Sequence, residues 1–191
     1  MEEIERFISR YCDPLLSGQA GIAGISRHLA DRQHAKGHLL VQEGQRHPYA
    51  YYLLQGAVRS FYLKDGVEVN TWFAFEGEMV GSFQNYLGQA SRETLQLVED
   101  SRLIAINLNA LRPLQQTSLE VSNFVRLVIE EYTAFLEERL FHLQHHSSME
   151  RYLYLLDNDP QVFQRIPLTY IASYLGISRE TLSRLRGRTI L

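Results

Sequence analysis

Residues 168–185, L-T-Y-I-A-S-Y-L-G-I-S-R-E-T-L-S-R-L, constrain the chain more than any other segment. Two short helices pack at a sharp angle only when the first carries a small residue at the crossing and the turn accepts a left-handed residue. Ala172 is the small residue, and a larger side chain there would push the helices apart. Gly176, four later, is the residue type that takes a left-handed conformation without steric cost. Ile171, Leu175, Ile177, Leu182 and Leu185 fall at the offsets that such a unit buries. Every apolar slot is filled, so the spacing predicts a helix-turn-helix.

The second helix is expected to open at Ser178, whose hydroxyl can accept from an orphan backbone N–H. With Leu182 and Leu185 turned inward, Arg179, Glu180, Ser183, Arg184 and Arg186 are left to point outward. Guanidinium groups match the O6/N7 edge of guanine, and a carboxylate accepts from cytosine N4, so this face has the chemistry of a major-groove reader. From residue 161 onward the chain has Arg165, Arg179, Arg184, Arg186 and Arg188, no Lys, and the single acid Glu180. That segment is formally +4; the whole chain is −3, which leaves −7 for the rest. A basic tip on an acidic body is the electrostatic footprint of phosphate contact. The alternative is a solvated face on a terminal helix, against which charge and turn geometry argue together.

At 191 residues, 45% hydrophobic and 21% charged, the chain is long enough for a substantial core and ordinary for a soluble protein. Its apolar runs are too short for a membrane span, and M-E-E-I-E-R-F-I is acidic where a signal peptide is basic. Cys12 stands alone, which excludes a disulfide framework and a cluster ligated by the cysteines of one chain. A cytoplasmic location is the simplest expectation. Without a nucleophile elbow, phosphate loop or HExxH motif, an enzyme is not expected, and no cofactor is.

Three regions separate by periodicity. Residues 1–30 read as helical, with Ile4, Phe7, Ile8 and Tyr11 on one stripe. Residues 37–108 read as β, short apolar runs punctuated by glycine turns every eight to twelve residues, which implies a jelly-roll or barrel. Asp65-Gly66 is a hairpin signal, and in the strand after it Val67, Val69, Thr71, Phe73 and Phe75 alternate with Glu68, Asn70, Trp72, Ala74 and Glu76. Residues 118–145 then read as one long helix free of Gly and Pro, with two apolar seams. Val121, Val125, Val128, Tyr132 and Phe135 form the first; Ile129, Leu136, Leu140 and Leu143 form the second. The β region can cover one seam, and a second copy of the chain is the natural cover for the other. Burial of the helix wholly within one chain is the alternative. Ser147 or Ser148 caps a short helix after it, and Pro167 starts the next.

A β-roll, a long helix and then a helix-turn-helix resemble the Crp/Fnr family of bacterial transcription regulators. The resemblance rests on H-L-L-V-Q-E-G at 38–44, Y-Y-L-L-Q-G-A-V at 51–58, E-G-E-M-V-G-S-F at 76–83 and G-I-S-R-E-T-L-S-R at 176–184, and it covers nearly the whole chain. It implies an α+β fold: an antiparallel β-roll domain like those that bind cyclic nucleotides at 1–116, a dimerisation helix at 117–146, and a DNA-binding helix-turn-helix at 147–191. It further implies that Arg179, Glu180 and Arg184 read a T-G-T-G-A half-site of a palindromic operator. Ser178, Thr181, Ser183, Arg186 and Arg188 are then expected at phosphates. RNA polymerase and an unknown small effector complete the implied partners.

Departures from the family pattern bear on the ligand. Where relatives that bind cyclic AMP follow the glycine with Glu, here Gly81 is followed by Ser82. Where they clamp the cyclic phosphate with Arg and Ser or Thr, here Ser91-Arg92-Glu93-Thr94 stands, and Glu93 beside a phosphate would cost on the order of several kcal/mol. Between Phe124 and His146 of the long helix, Thr133 is the only hydroxyl residue besides Tyr132 to meet a base. Ser82, Arg92, Glu93 and Thr133 are thus the candidate pocket residues, and cyclic AMP is not expected to bind in the usual way. A sensor that signals through a protein partner instead of DNA remains the second reading. The chain also stops soon after the recognition helix, so no wing is expected. His142, His145 and His146 lie near the long helix's end, with 142 and 146 on one face at ligand spacing, but without a nearby cysteine or carboxylate cluster no metal is expected.

Overall fold

The computed structural model describes Phe7, Tyr11 and residues 26–189, with side chains through Gly187. Among the described residues eight strands form two four-stranded sheets. In the first the order is β1 (Leu29–His34), β8 (Ser101–Asn107), β3 (Tyr49–Gln55), β6 (Met79–Val80). In the second it is β2 (Leu39–Val41), β7 (Thr94–Leu97), β4 (Val58–Lys64), β5 (Val67–Ala74), every pairing in both being antiparallel. Leu53, Val58, Leu95, Leu97 and Leu103 close the space between the sheets, all essentially buried. The hairpin between β4 and β5 turns on Asp65 (φ 52°) and Gly66 (φ 78°), the two successive left-handed residues that such a two-residue turn needs.

Two elements depart from the periodicity. Residues 29 and 30 begin a strand where a helix was expected. L-A-D-R-Q-H has little strand character of its own, and pairing with β8, from Leu29↔Ile106 to His34↔Ser101, decides its conformation. Of the N-terminal stripe, Phe7 and Tyr11 are helical and buried; Ile4 and Ile8 lie outside the described residues, as does Cys12. Two helices also went unread within or beside the β region: α1 (Phe83–Tyr86) and α2 (Leu108–Thr117). Pro113 interrupts the pattern of α2, but Asn107 caps it, its side chain accepting from the N–H groups of Asn109 and Ala110.

The long helix α3 (Leu119–His145) is buried only in its first half, where Val121, Phe124 and Val125 pack with Phe7, Tyr11, Tyr52, Ile104, Ile106 and Leu111. Ile129 joins that core instead of the second seam. Further along, Leu136, Leu140 and Leu143 are 42%, 54% and 48% exposed, so the described part of one chain does not bury the helix wholly.

Four helices follow: α4 (Ser148–Asn158), α5 (Gln161–Arg165), α6 (Leu168–Leu175) and α7 (Arg179–Thr189). Ser147, not Ser148, caps α4, and Glu150 reciprocates by accepting from the Ser147 N–H at 2.7 Å. Tyr152, Leu155, Val162, Ile166, Ile171, Leu175, Leu182 and Leu185 share one core with Ala57, Phe75 and Val98 of the strand domain. The helix-turn-helix is therefore seated on the outside of the second sheet. That seat explains the burial along β5: α6 covers one face and the inter-sheet core takes the other, so Asn70 and Ala74 are its buried residues.

Candidate functional site

Helix α6 ends at Gly176, with φ 68° and ψ 34°; the Ile177 N–H reaches back to the Ala172 carbonyl at 3.0 Å and closes the turn. Ile171, Ala172, Leu175, Leu182 and Leu185 are buried between α6 and α7, while Ile177 is half-buried. Ser178 accepts from the Thr181 N–H at 3.2 Å at the start of α7. The face this leaves outward carries Arg179, Glu180, Ser183 and Arg184, all exposed, beside the exposed Ser178; Thr181 and Arg186 are half-buried. The Arg188 side chain lies outside the described ones. Thr181 also accepts from Arg184 Nη2 at 3.2 Å, which steadies that guanidinium on the helix surface. The Glu180 carboxyl is held below its ordinary range by its own backbone N–H and the Ser178 hydroxyl, so it is ionised at neutral pH.

The fifth arginine of the basic segment is elsewhere. Arg165 reaches Glu76 Oε2 at 2.7 Å, Glu99 Oε2 at 2.7 Å and the Gly56 carbonyl at 2.9 Å, so its charge is neutralised against the strand domain. The same junction holds Arg59, its guanidinium 4.0 Å from the Phe61 ring centre and 3.8 Å from that of Tyr170, with Glu68 Oε2 at 2.6 Å. The Ser173 hydroxyl accepts from the Asn70 N–H and donates to the Glu68 carbonyl, each at 3.0 Å. From the opposite side, Arg139 of α3 and Arg151 of α4 donate to the last carbonyls of α6, Tyr174 at 2.6 Å and Leu175 at 3.0 Å, where cations meet the negative end of the helix dipole. These contacts set the angle at which α7 is offered, and periodicity carried no sign of them.

Between the strand domain and α3 lies a cavity of about 580 Å³. Ser82 lines it, buried, its hydroxyl accepting from Ser91 at 2.9 Å. Glu93 sits behind the cavity wall: its carboxylate accepts from the Trp72 indole N–H at 3.1 Å and from the Ser60 hydroxyl, and burial pushes its pKa up. Arg92 and Thr133 are not brought to the cavity. Arg92 is exposed, because the short segment before β7 turns Ser91 and Thr94 inward. Thr133 is exposed on α3 and gives its hydroxyl to the Ile129 carbonyl at 2.7 Å. Trp72 and Phe73, which alternate along β5, line the cavity together with Phe83, Tyr132 and Phe135.

The histidines also assort in space. His142 and His146 face each other, Nδ1 to Nδ1 at 2.6 Å, and His34 stacks on His38 at 4.0 Å. Among the described residues no three His, Cys, Asp or Glu side chains converge as metal ligands, and no helix is long and apolar enough to cross a membrane.

Residues 31–118 match the family model of the cyclic nucleotide-binding domain, which spans the strand domain. Most of the chain is similar in fold to solved structures. FixK2 from Bradyrhizobium japonicum matches with a TM-score of 0.73 at 21% identity, over 84% of this chain and 83% of that one. The c-di-GMP responsive global regulator CLP of Xanthomonas campestris matches at 0.70 and 20%, over 90% and 91%. A CRP/FNR family transcriptional regulator from Thermus thermophilus matches at 0.67 and 17%, over 83% and 84%. No curated protein sequence matches the chain. Domain and fold together give an α+β chain whose strand domain matches the cyclic nucleotide-binding family model and whose architecture is that of these solved structures.

Proposed function

We propose that the chain is a homodimeric, sequence-specific DNA-binding transcription regulator of the cytoplasm, with no enzymatic activity. One observation carries the reading: Arg179, Glu180 and Arg184 stand exposed together on a helix whose other side is locked into the core by Leu182 and Leu185. Arg179, Glu180 and Arg184 read base edges in the major groove; Ser178, Thr181, Ser183, Arg186 and Arg188 contact phosphates. The exposed Leu136, Leu140 and Leu143 of α3 pair with a second copy, whose symmetry suits a palindromic operator. The roll does not take cyclic AMP in the family's manner, since Ser82 and Ser91 bond each other and a buried carboxylate, Glu93, lies next to the site.

Selection of operators from random duplexes by the full chain tests this reading, and recovery of no enriched sequence would leave the protein-partner sensor standing. Once a site is in hand, Arg184→Ala should cost about 1–3 kcal/mol on it and relax base preference at one position. A loss equal on all sequences contradicts base reading by Arg184. Arg188→Ala should flatten the salt dependence by about one unit of slope, and an unchanged slope removes it from the phosphate contacts.

A further inference from the structure

The cavity between the roll and α3 does not suit the ligand its domain family is described by. It suits another class. At about 580 Å³ it falls inside the range of roughly 300–1,000 Å³ typical of small-molecule sites. An apolar hole of about 150 Å³ already holds one benzene ring, so this one has room for two or three fused rings. Aromatic residues, Trp72, Phe73, Phe83, Tyr86, Phe124, Tyr132 and Phe135, line it among aliphatic ones. Among the described residues the ionised groups on the lining are Glu78, Glu131 and Arg112. That cation already donates to the carbonyls of Tyr86 at 2.5 Å and Asn85 at 3.5 Å. A third acid, Glu93, lies behind Trp72. Among the described residues an anionic guest meets one cation, already committed to two carbonyls, whereas a flat neutral ring meets ring faces and aliphatic walls over most of the lining.

We infer that this cavity is the binding site of an uncharged, polycyclic aromatic small molecule, held by stacking and burial and not by a phosphate clamp. Val128, Ile129, Tyr132 and Phe135 form its α3 wall, and the exposed Leu136 and Leu140 lie one turn along the same helix. Occupancy thus bears on the helix assigned to dimer contact. That consequence rests on the DNA-binding reading above; the binding itself does not.

Trp72 is the chain's only tryptophan and it lines the cavity, so its fluorescence reports a guest directly. The full chain is titrated with uncharged N-phenylnaphthylamine, with its sulfonated analogue anilinonaphthalene sulfonate, and with cyclic AMP. The neutral dye should accept energy from Trp72 and saturate at one per chain, with the sulfonate and cyclic AMP at least about tenfold weaker, a difference of about 1.4 kcal/mol. Val128→Phe, which fills the interior, and Ala134→Phe, which narrows the exposed rim without entering a core, should each weaken the neutral dye about tenfold. Leu63→Ser, on the exposed end of β4, should leave it unchanged. The assignment fails if Trp72 shows no saturable transfer, if both filling variants bind as the parent does, or if cyclic AMP or the sulfonate binds more tightly than the neutral dye. Operator binding by the ligand-free chain is measured separately, so failure of the cavity leaves the DNA reading intact, and the reverse.

Discussion

Arg165 and Glu76 meet through two bonds, Nη1 to Oε2 at 2.7 Å and Nη2 to Oε1 at 2.8 Å, and this paired contact ties the helix before the helix-turn-helix to the roll. The Arg165 guanidinium holds the Glu76 carboxyl down to about 2. A carboxylate depressed in this way contributes its full stability above its ordinary range near 4.5 and loses it as pH falls toward 2. With the Glu76 side chain 40% exposed, the pair is worth about 1 kcal/mol. Glu76→Gln should therefore melt below the parent at pH 7, and the gap should close between pH 4.5 and 2. A gap that persists unchanged at the acid end would mean that charge is not what the pair contributes.

Two glycines should respond differently to alanine. At Gly176 a Cβ meets nothing within 4 Å, so Gly176→Ala costs only the left-handed backbone, about 1–2 kcal/mol. At Gly56, with φ 108°, a Cβ would lie 2.7 Å from Ser101 Cβ and 3.0 Å from its Cα. Gly56→Ala must shift β8 or the turn as well, and should lose more stability in denaturant unfolding. The opposite order would show that the turn before α7 is held by more than its dihedral angles.

Glu93→Gln should stabilise the chain increasingly with pH. Burial raises the Glu93 pKa, so the protonated group's contribution is complete below the ordinary carboxylate range and disappears as pH rises through the raised value. Glutamine carries no charge to desolvate and keeps an oxygen for Trp72 and Ser60. Melting curves of the two proteins should diverge from acid to neutral pH; parallel curves would contradict the burial of a charge.

Leu140→Glu should convert a dimer into a monomer with an unchanged circular dichroism spectrum, read by sedimentation. Leu140 is 54% exposed, so the charge costs the single chain little, but it would be desolvated at a paired helix. A variant that remains dimeric places the second copy elsewhere.

How much of this was legible depended on whether a signal was local. The turn at Gly176, the Ser178 cap and the Asp65-Gly66 hairpin each rest on neighbours in sequence, and local chemistry specifies them. Arg165 had the same +1 charge as Arg184 and was grouped with it, because nothing nearby in sequence reveals Glu76 and Glu99 folding toward it. Ser91-Arg92-Glu93-Thr94 offered Arg92 and Glu93 as candidates for one pocket, and a one-residue shift of register reverses which residues face inward. Aromatic alternation in β5 likewise could not separate core packing from a cavity wall.

By itself the sequence determined the parts: a strand region cut by glycine turns, an unbroken helix with two apolar seams, and a glycine-turned helix pair presenting arginines. Their repeat lengths and turn residues encode these within a few positions. Only the tertiary structure decided that the helix pair sits on the second sheet, that Arg165 is neutralised there, and that a cavity opens between the roll and α3. Those outcomes depend on contacts between residues about ninety positions apart, such as Glu76 and Arg165. Such contacts arise from packing, which has no period along the chain.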